Sequence, residues 1–305
     1  MPNTQQQLYR GLGLGLLGVT IFALTLPMTR LAVGTAQAPL LSGQFVAFGR
    51  ASVAGILSAL LLLATRAPWP TPEQVRGLAV VALGVVFGFP LFTSIAMREL
   101  QAVHASVMVG VLPLATAAVA ARLQQQRPAP GFWLCAAAGA ALVVTFALLH
   151  GDQSGLRLQW ADMLLLLGMG CAAAGYAWGA RLAHSMRPDH VICWALTLSL
   201  PVNLPLALQQ WPAAAVPASA WAAFAYVAVF SMWLGFFAWY GGLAKGGAVR
   251  VSQVQLVQPF LGMLFAAALL GEPLDARSLG FGLAVIATVI LGRRMPVRQP
   301  GHQTT

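Results

Sequence analysis

Charged residues are scarce in this 305-residue sequence. They make up 8% of it, while 59% is hydrophobic. Soluble domains carry roughly 25% charged residues, so there is too little polar surface here to cover a water-soluble globule. Acids are scarcest of all. Seven stand against 17 basic residues, and all of them (Glu73, Glu99, Asp152, Asp162, Asp189, Glu272 and Asp275) fall at or near the ends of apolar runs. No H-E-x-x-H, no G-x-S-x-G and no paired carboxylate within a run occurs, so the positioned groups of hydrolytic or metal chemistry are missing and an enzyme is not expected. A buried acid of the kind proton-coupled carriers often use is not expected either. The three cysteines, Cys135, Cys171 and Cys193, lack C-x-x-C spacing and lie in or beside apolar runs, which predicts packing rather than disulfides or metal. No basic patch with interleaved aromatics appears, so the net charge of +10 does not point to nucleic acid.

What is abundant is apolar sequence of membrane-spanning length, about 20 residues at a time. Ten runs are expected, over roughly 11–30, 42–64, 76–97, 101–122, 131–150, 160–182, 190–209, 219–241, 248–270 and 277–293. Short proline-bearing connections leave no room for an extramembrane domain, and the first run is expected to be a retained helix rather than a cleaved signal. With the N-terminus inside, twelve basic residues fall in inside segments (Arg10, Arg66, Arg76, Arg122, Arg127, Arg181, Arg187, Lys245, Arg250, Arg293, Arg294, Arg298). Four fall outside (Arg30, Arg98, Arg157, Arg277). This bias puts both termini in the cytoplasm.

The stretch Ala248 to Glu272 holds Ser252, Gln253, Gln255, Gln258, Pro259 and a terminal acid. A weaker copy runs from Ala102 to Gln126. Pro113 matches Pro259 at an offset of 146 (259 − 113 = 146), and Ser106 matches Ser252 at the same offset. T-R-L-A at Thr29 and A-R-L-A at Ala180 match at an offset of 151 (180 − 29 = 151). The expected fold is an all-α polytopic membrane protein, ten transmembrane helices as two inverted five-helix repeats. The repeats are 1–150 and 151–305, the second ending in a short cytoplasmic tail. Five is odd, so the second copy enters the membrane in the opposite sense.

Arg50 lies about eight residues into the second run, roughly 12 Å deep at 1.5 Å per residue. A guanidinium there needs a wet cavity or a partner. It reads either as the counter-charge for a substrate carboxylate or as a structural arginine bonded to freed carbonyls. Ser252, Gln255, Gln258 and Gly262 share one face of the ninth run and read equally as substrate contacts or as interhelical glue. The first-copy counterparts of Gln255 and Gln258, Val109 and Leu112, are apolar, so a polar site is expected to be weighted to the second copy. Pro113 and Pro259 break their helices at matching places and are hinge candidates. Tyr176 and Trp178 are candidate cavity residues, whereas Trp239 and Tyr240 fit an interfacial belt. His104 reads as an interfacial bystander, and Gln44 as a rim residue.

F-A-L-T-L-P-M-T-R in the first run, F-G-R at Phe48 to Arg50, Y-A-W-G at Tyr176, and Q-L-V-Q-P followed by Gly271 and Glu272 together resemble the EamA-type transporters of the drug/metabolite transporter superfamily. The resemblance covers nearly the whole chain. It departs in the first copy, where Gln126 stands at the position of the terminal acid. It implies a secondary transporter of the bacterial inner membrane, exporting small polar metabolites such as amino acids by alternating access. The expected partners are that small molecule, membrane lipid and, as one option, a second copy in a homodimer. No cofactor, metal or nucleic acid is expected. A non-transporting scaffold or sensor subunit is the alternative, and it would have the polar face of the ninth run sealed by packing.

Overall fold

The computed structural model describes residues 4–123, 127–150, 159–246, 251–295 and 297–298. Arg157, Gln126 and Arg250 lie outside these residues, as does the junction between the two copies at 150/151. Among the described residues, eight helices are long and apolar enough to cross a membrane: α1 (Gln5–Val33), α2 (Gly43–Ala64), α3 (Pro72–Ala96), α4 (Ala102–Leu123), α5 (Pro130–Leu149), α6 (Trp160–Leu182), α7 (Pro188–Gln209) and α8 (Ala218–Lys245). Two shorter apolar helices complete the ten, α9 (Val254–Leu270) and α10 (Ala276–Gly292). The 22 residues of α2 reach about 33 Å at 1.5 Å per residue, enough for the roughly 30 Å hydrocarbon core. The protein is an integral, multi-pass membrane protein of two inverted five-helix repeats.

Local chemistry sets the helix starts. Ser42 caps α2 by accepting the Phe45 N–H at 2.9 Å. Thr71 and Gln74 form a capping box around Pro72 at the start of α3, and Asp275 caps α10 through the Ser278 N–H. Large apolar side chains such as Leu63, Leu134, Leu167 and Leu283 remain exposed, as the lipid-facing surface of a bundle requires. One end of the bundle holds the chain terminus, where β1 (Arg127–Pro128) pairs antiparallel with β2 (Val297–Arg298). The other, the far end, holds the connections after α1, α3 and α9.

The repeats interlock. α1 packs along α8 and α9 of the second repeat, and α6 packs along α3 and α4 of the first. Two bodies result, α3–α4–α6 and α8–α9–α1, flanked by an α2–α7 pair on one side and α5–α10 on the other. Glycine permits these close approaches. A Cβ on Gly84 of α3 would meet the Cys171 carbonyl oxygen at 2.5 Å, and one on Gly242 of α8 would meet the Gly15 nitrogen at 2.8 Å.

The irregular segments repeat as well. α3 winds as a π-helix over Ala82–Gly88, and α8 does so over Tyr226–Leu234. α4 breaks at a turn over 110–111 before restarting at Leu112, and a 3-10 stretch over Ser252–Val257 leads into α9, which is α-helical from Gln258. Pro113 and Pro259 each fall second in the restarted segment, where a missing N–H costs nothing. One expectation is corrected: Trp239 and Tyr240 are no interfacial belt, being 3% and 0% exposed. The Trp239 backbone lies against Gly18 of α1, and the Tyr240 ring packs on Phe236 with its hydroxyl at Gly179 of α6.

Candidate functional site

A small cavity lies between the two interlocked bodies. Its wall takes Val85 and Phe89 from α3, Leu112 from α4 and Tyr176 from α6, and on the other side Phe22 and Thr25 from α1, Ser231 and Phe236 from α8 and Gln258 from α9, with Arg50 of α2 also lining it. Its volume is about 20 Å³, room for one water. The walls are therefore nearly closed on one another, and a solute needs the bodies to part.

The wall follows the repeat. Val85 and Ser231 are equivalent at the 146 offset (231 − 85 = 146), as are Leu112 and Gln258 (258 − 112 = 146), and Thr25 and Tyr176 are equivalent at 151 (176 − 25 = 151). The cavity thus sits on the pseudo-twofold axis of the fold. Its second-repeat members carry a hydroxyl, an amide and a phenol where two of the first-repeat members are apolar. The segments contributing Val85 and Ser231 are the two π-helical stretches, and π-turns put side chains where a regular helix would not.

Arg50 is 2% exposed, and its Nε and Nη1 atoms have no hydrogen-bond partner among the described residues. A buried guanidinium with unmet donors is costly. Its planar fork fits a carboxylate in two parallel hydrogen bonds. The hydroxyls of Thr25 and Ser231 bond each other at 2.8 Å across α1 and α8, leaving each able to take a further bond. Phe22, Tyr176 and Phe236 form an aromatic wall, with centroids 5.1 Å apart for Phe22–Phe236 and 6.0 Å for Tyr176–Phe236. The arrangement is one fixed cation, a few hydroxyls and an amide against rings. It suits a small solute with an anionic group and a short body. Thr25→Val breaks the hydroxyl pair and is expected to lower stability by about 0.6 kcal/mol, a typical interhelical bond in a membrane, seen as a small drop in melting temperature of the purified protein.

Three predicted residues meet here: Arg50, Tyr176 and Gln258. Gln255 is 5% exposed but off the cavity wall. Ser252 lies in the 3-10 stretch, and its side chain falls outside the described ones. Trp178 is also off the wall. It sits half-buried, with the Arg181 guanidinium 5.3 Å above its ring. Gln44 is exposed near the far end, as a rim residue would be. Thr25, Ser231 and Phe236 were not singled out in the sequence. The signal was there in part, since Thr25 and Ser231 stand at the repeat offsets from Tyr176 and Val85.

Two sequence expectations about charge are corrected. Asp162 ends an apolar run as expected but is 1% exposed, so a buried acid is present after all. His104 is no bystander, for its Nε2 lies 2.7 Å from Asp162 Oδ1. Both residues open a helix at the far end, where a neighbouring helix covers them.

The model of the EamA-like transporter family matches residues 9–148 and again 159–293. The chain is 43% identical over 284 residues to the uncharacterized transporter YdeK of Bacillus subtilis (strain 168), covering 92% of this chain and 96% of that protein. It is 22% identical over 269 residues to the uncharacterized transporter YyaM of the same organism, covering 84% and 85%. A crystal structure at 17% identity superposes with a TM-score of 0.61 over 92% of this chain and 95% of its own, a likeness of fold. Two repeats, each matched by the family model, and a full-length relative named as a transporter agree with the interlocked ten-helix bundle: the chain belongs to the EamA-like transporter family, and it is a membrane transporter.

Proposed function

We propose that the protein is a secondary transporter that exports small polar metabolites bearing a carboxylate, amino acids among them, by alternating access. The observation that carries this is Arg50: a buried cation with two unmet donors, at a cavity between two bodies that must part to admit anything larger than water. The two packed bodies, rather than the two sequence halves, are the units that rock, with the restarts at Pro113 and Pro259 as hinges. The excess of basic residues at the terminus end orients that end to the cytoplasm of a bacterial inner membrane. Export is the direction the family resemblance implies.

Metabolite profiling of medium from cells with and without overproduction tests the reading. At least one carboxylate-bearing solute is expected to accumulate, and a profile in which only uncharged or cationic solutes change contradicts it. Single cysteines along 251–262 report the path itself. Position 258, on the cavity wall, is expected to react with a water-soluble thiol reagent and position 257, exposed toward lipid, to resist it. A uniformly unreactive stretch favours the scaffold alternative.

A further inference from the structure

His104 and Asp162 meet at the far end, 58 positions apart in sequence, with Nε2 and Oδ1 separated by 2.7 Å and both side chains buried. Two bare acceptors do not face each other at that distance, so a proton lies between them. The other carboxylate oxygen of Asp162 accepts the Gln159 N–H at 3.1 Å. The imidazole ring stacks on Phe146 of α5, with centroids 4.9 Å apart. The pair therefore fixes the first turn of α4 to α6, within one of the two bodies.

The same turn is held from the other body. Glu272, just beyond α9, accepts the N–H of Ala102 at 2.9 Å and of Val103 at 2.7 Å. Three consecutive residues of α4 are thus bonded to both sides of the cavity. Opening the far end requires the Glu272 bonds to break, because they join the bodies that part.

We propose that His104 and Asp162 form the proton-binding site of this transporter, and that their charge sets how firmly Glu272 closes the far end. This rests on the carrier reading above and adds its coupling ion. With one proton between them, a neutral imidazole donates from Nε2 to an ionised Asp162. A second proton, taken from water on the far side, makes the imidazolium, and the net charge of the pair goes from −1 to 0. The bond is then charge-assisted from both ends. The new positive charge also sits one residue from the amides that hold Glu272. Proton uptake tightens the far end, and proton release loosens it.

Among the described residues, further charges lie around this turn on the neighbouring elements. Arg30 on α1 interacts with Glu272 and Glu99, and Arg98 donates to the Leu41 carbonyl at 2.9 Å. Asp275 and Arg277 open α10. The arginines keep their charge throughout, so they set a constant field.

Hydrogen–deuterium exchange of the purified full chain in lipid nanodiscs, without solute, tests the proposal at pH 6 and pH 8.5 after correction for intrinsic exchange. Protection of the Ala102 and Val103 amides is expected to fall about tenfold at the higher pH. His104→Gln keeps a donor toward Asp162 but cannot titrate, so its protection should not change with pH. Asp162→Asn should lose the pH difference as well, which keeps the test open if one variant fails to fold. Wild-type protection that is the same at both pH values, or a His104→Gln response equal to the wild type's, overturns the proposal. Arg50→Ala should keep the wild-type response, so failure of the proton site and failure of the anion site read separately.

Discussion

Arg50→Ala is expected to abolish transport while leaving the empty protein at least as stable as the wild type. The two halves of this result have one cause. The guanidinium is buried with Nε and Nη1 unpartnered, so it contributes cost rather than contact to the solute-free fold. Removing it relieves that cost. It also removes the charge that a carboxylate would meet, and truncating one member of a buried charge pair weakens binding by at least about 100-fold. Arg50→Lys keeps a charge but loses the two-pronged geometry, so transport is expected to fall roughly tenfold rather than vanish. Efflux from proteoliposomes of the solute found by profiling, with melting temperature measured alongside, checks both halves. A structural arginine would give the opposite pairing: a lower melting temperature with transport retained in the folded fraction.

Gly84→Leu is expected to cost about 3 kcal/mol or more and to leave little folded protein in the membrane. The contact is between backbones. A Cβ on Gly84 meets the Cys171 carbonyl oxygen at 2.5 Å and the Gly175 nitrogen at 2.8 Å, and neither can rotate away as a side chain would. α3 and α6 must separate along their length, and the π-turn that aims Val85 at the cavity separates with them. Gly170→Leu is the control. It lies on the partner helix α6 with nothing within 4 Å of its Cβ, and it should extract and melt like the wild type. Size-exclusion profiles of the detergent-solubilised variants distinguish the two.

What was legible in the sequence is what a single helix encodes. The ten apolar runs, the doubling at offsets of 146 and 151, the place of Arg50 inside its helix and the breaks before Pro113 and Pro259 are patterns along the chain, and each appears in the fold. What was not legible is which helix meets which. Nothing in α1 or α6 says that each crosses to the other repeat, because apolar faces in a membrane look alike and small-residue contacts are specified by shape. The Thr25–Ser231 bond spans 206 positions and the His104–Asp162 bond 58. An acid at a helix start therefore looked solvated until the neighbouring helix was seen to cover it. Glu272 was marked only as the acid that closes the ninth run. Its bonds to the first turn of α4 give that acid a physical purpose, since a carboxylate suits the positive end of a helix.

The central claim is that the Arg50 guanidinium binds a solute carboxylate inside the cavity. Equilibrium binding of the exported solute and of its decarboxylated analogue, each to wild type and to Arg50→Ala, tests it most directly. Decarboxylation is expected to cost the wild type at least about 100-fold in affinity and to cost Arg50→Ala almost nothing, because the two changes remove the same interaction. Equal losses in the two proteins would contradict it.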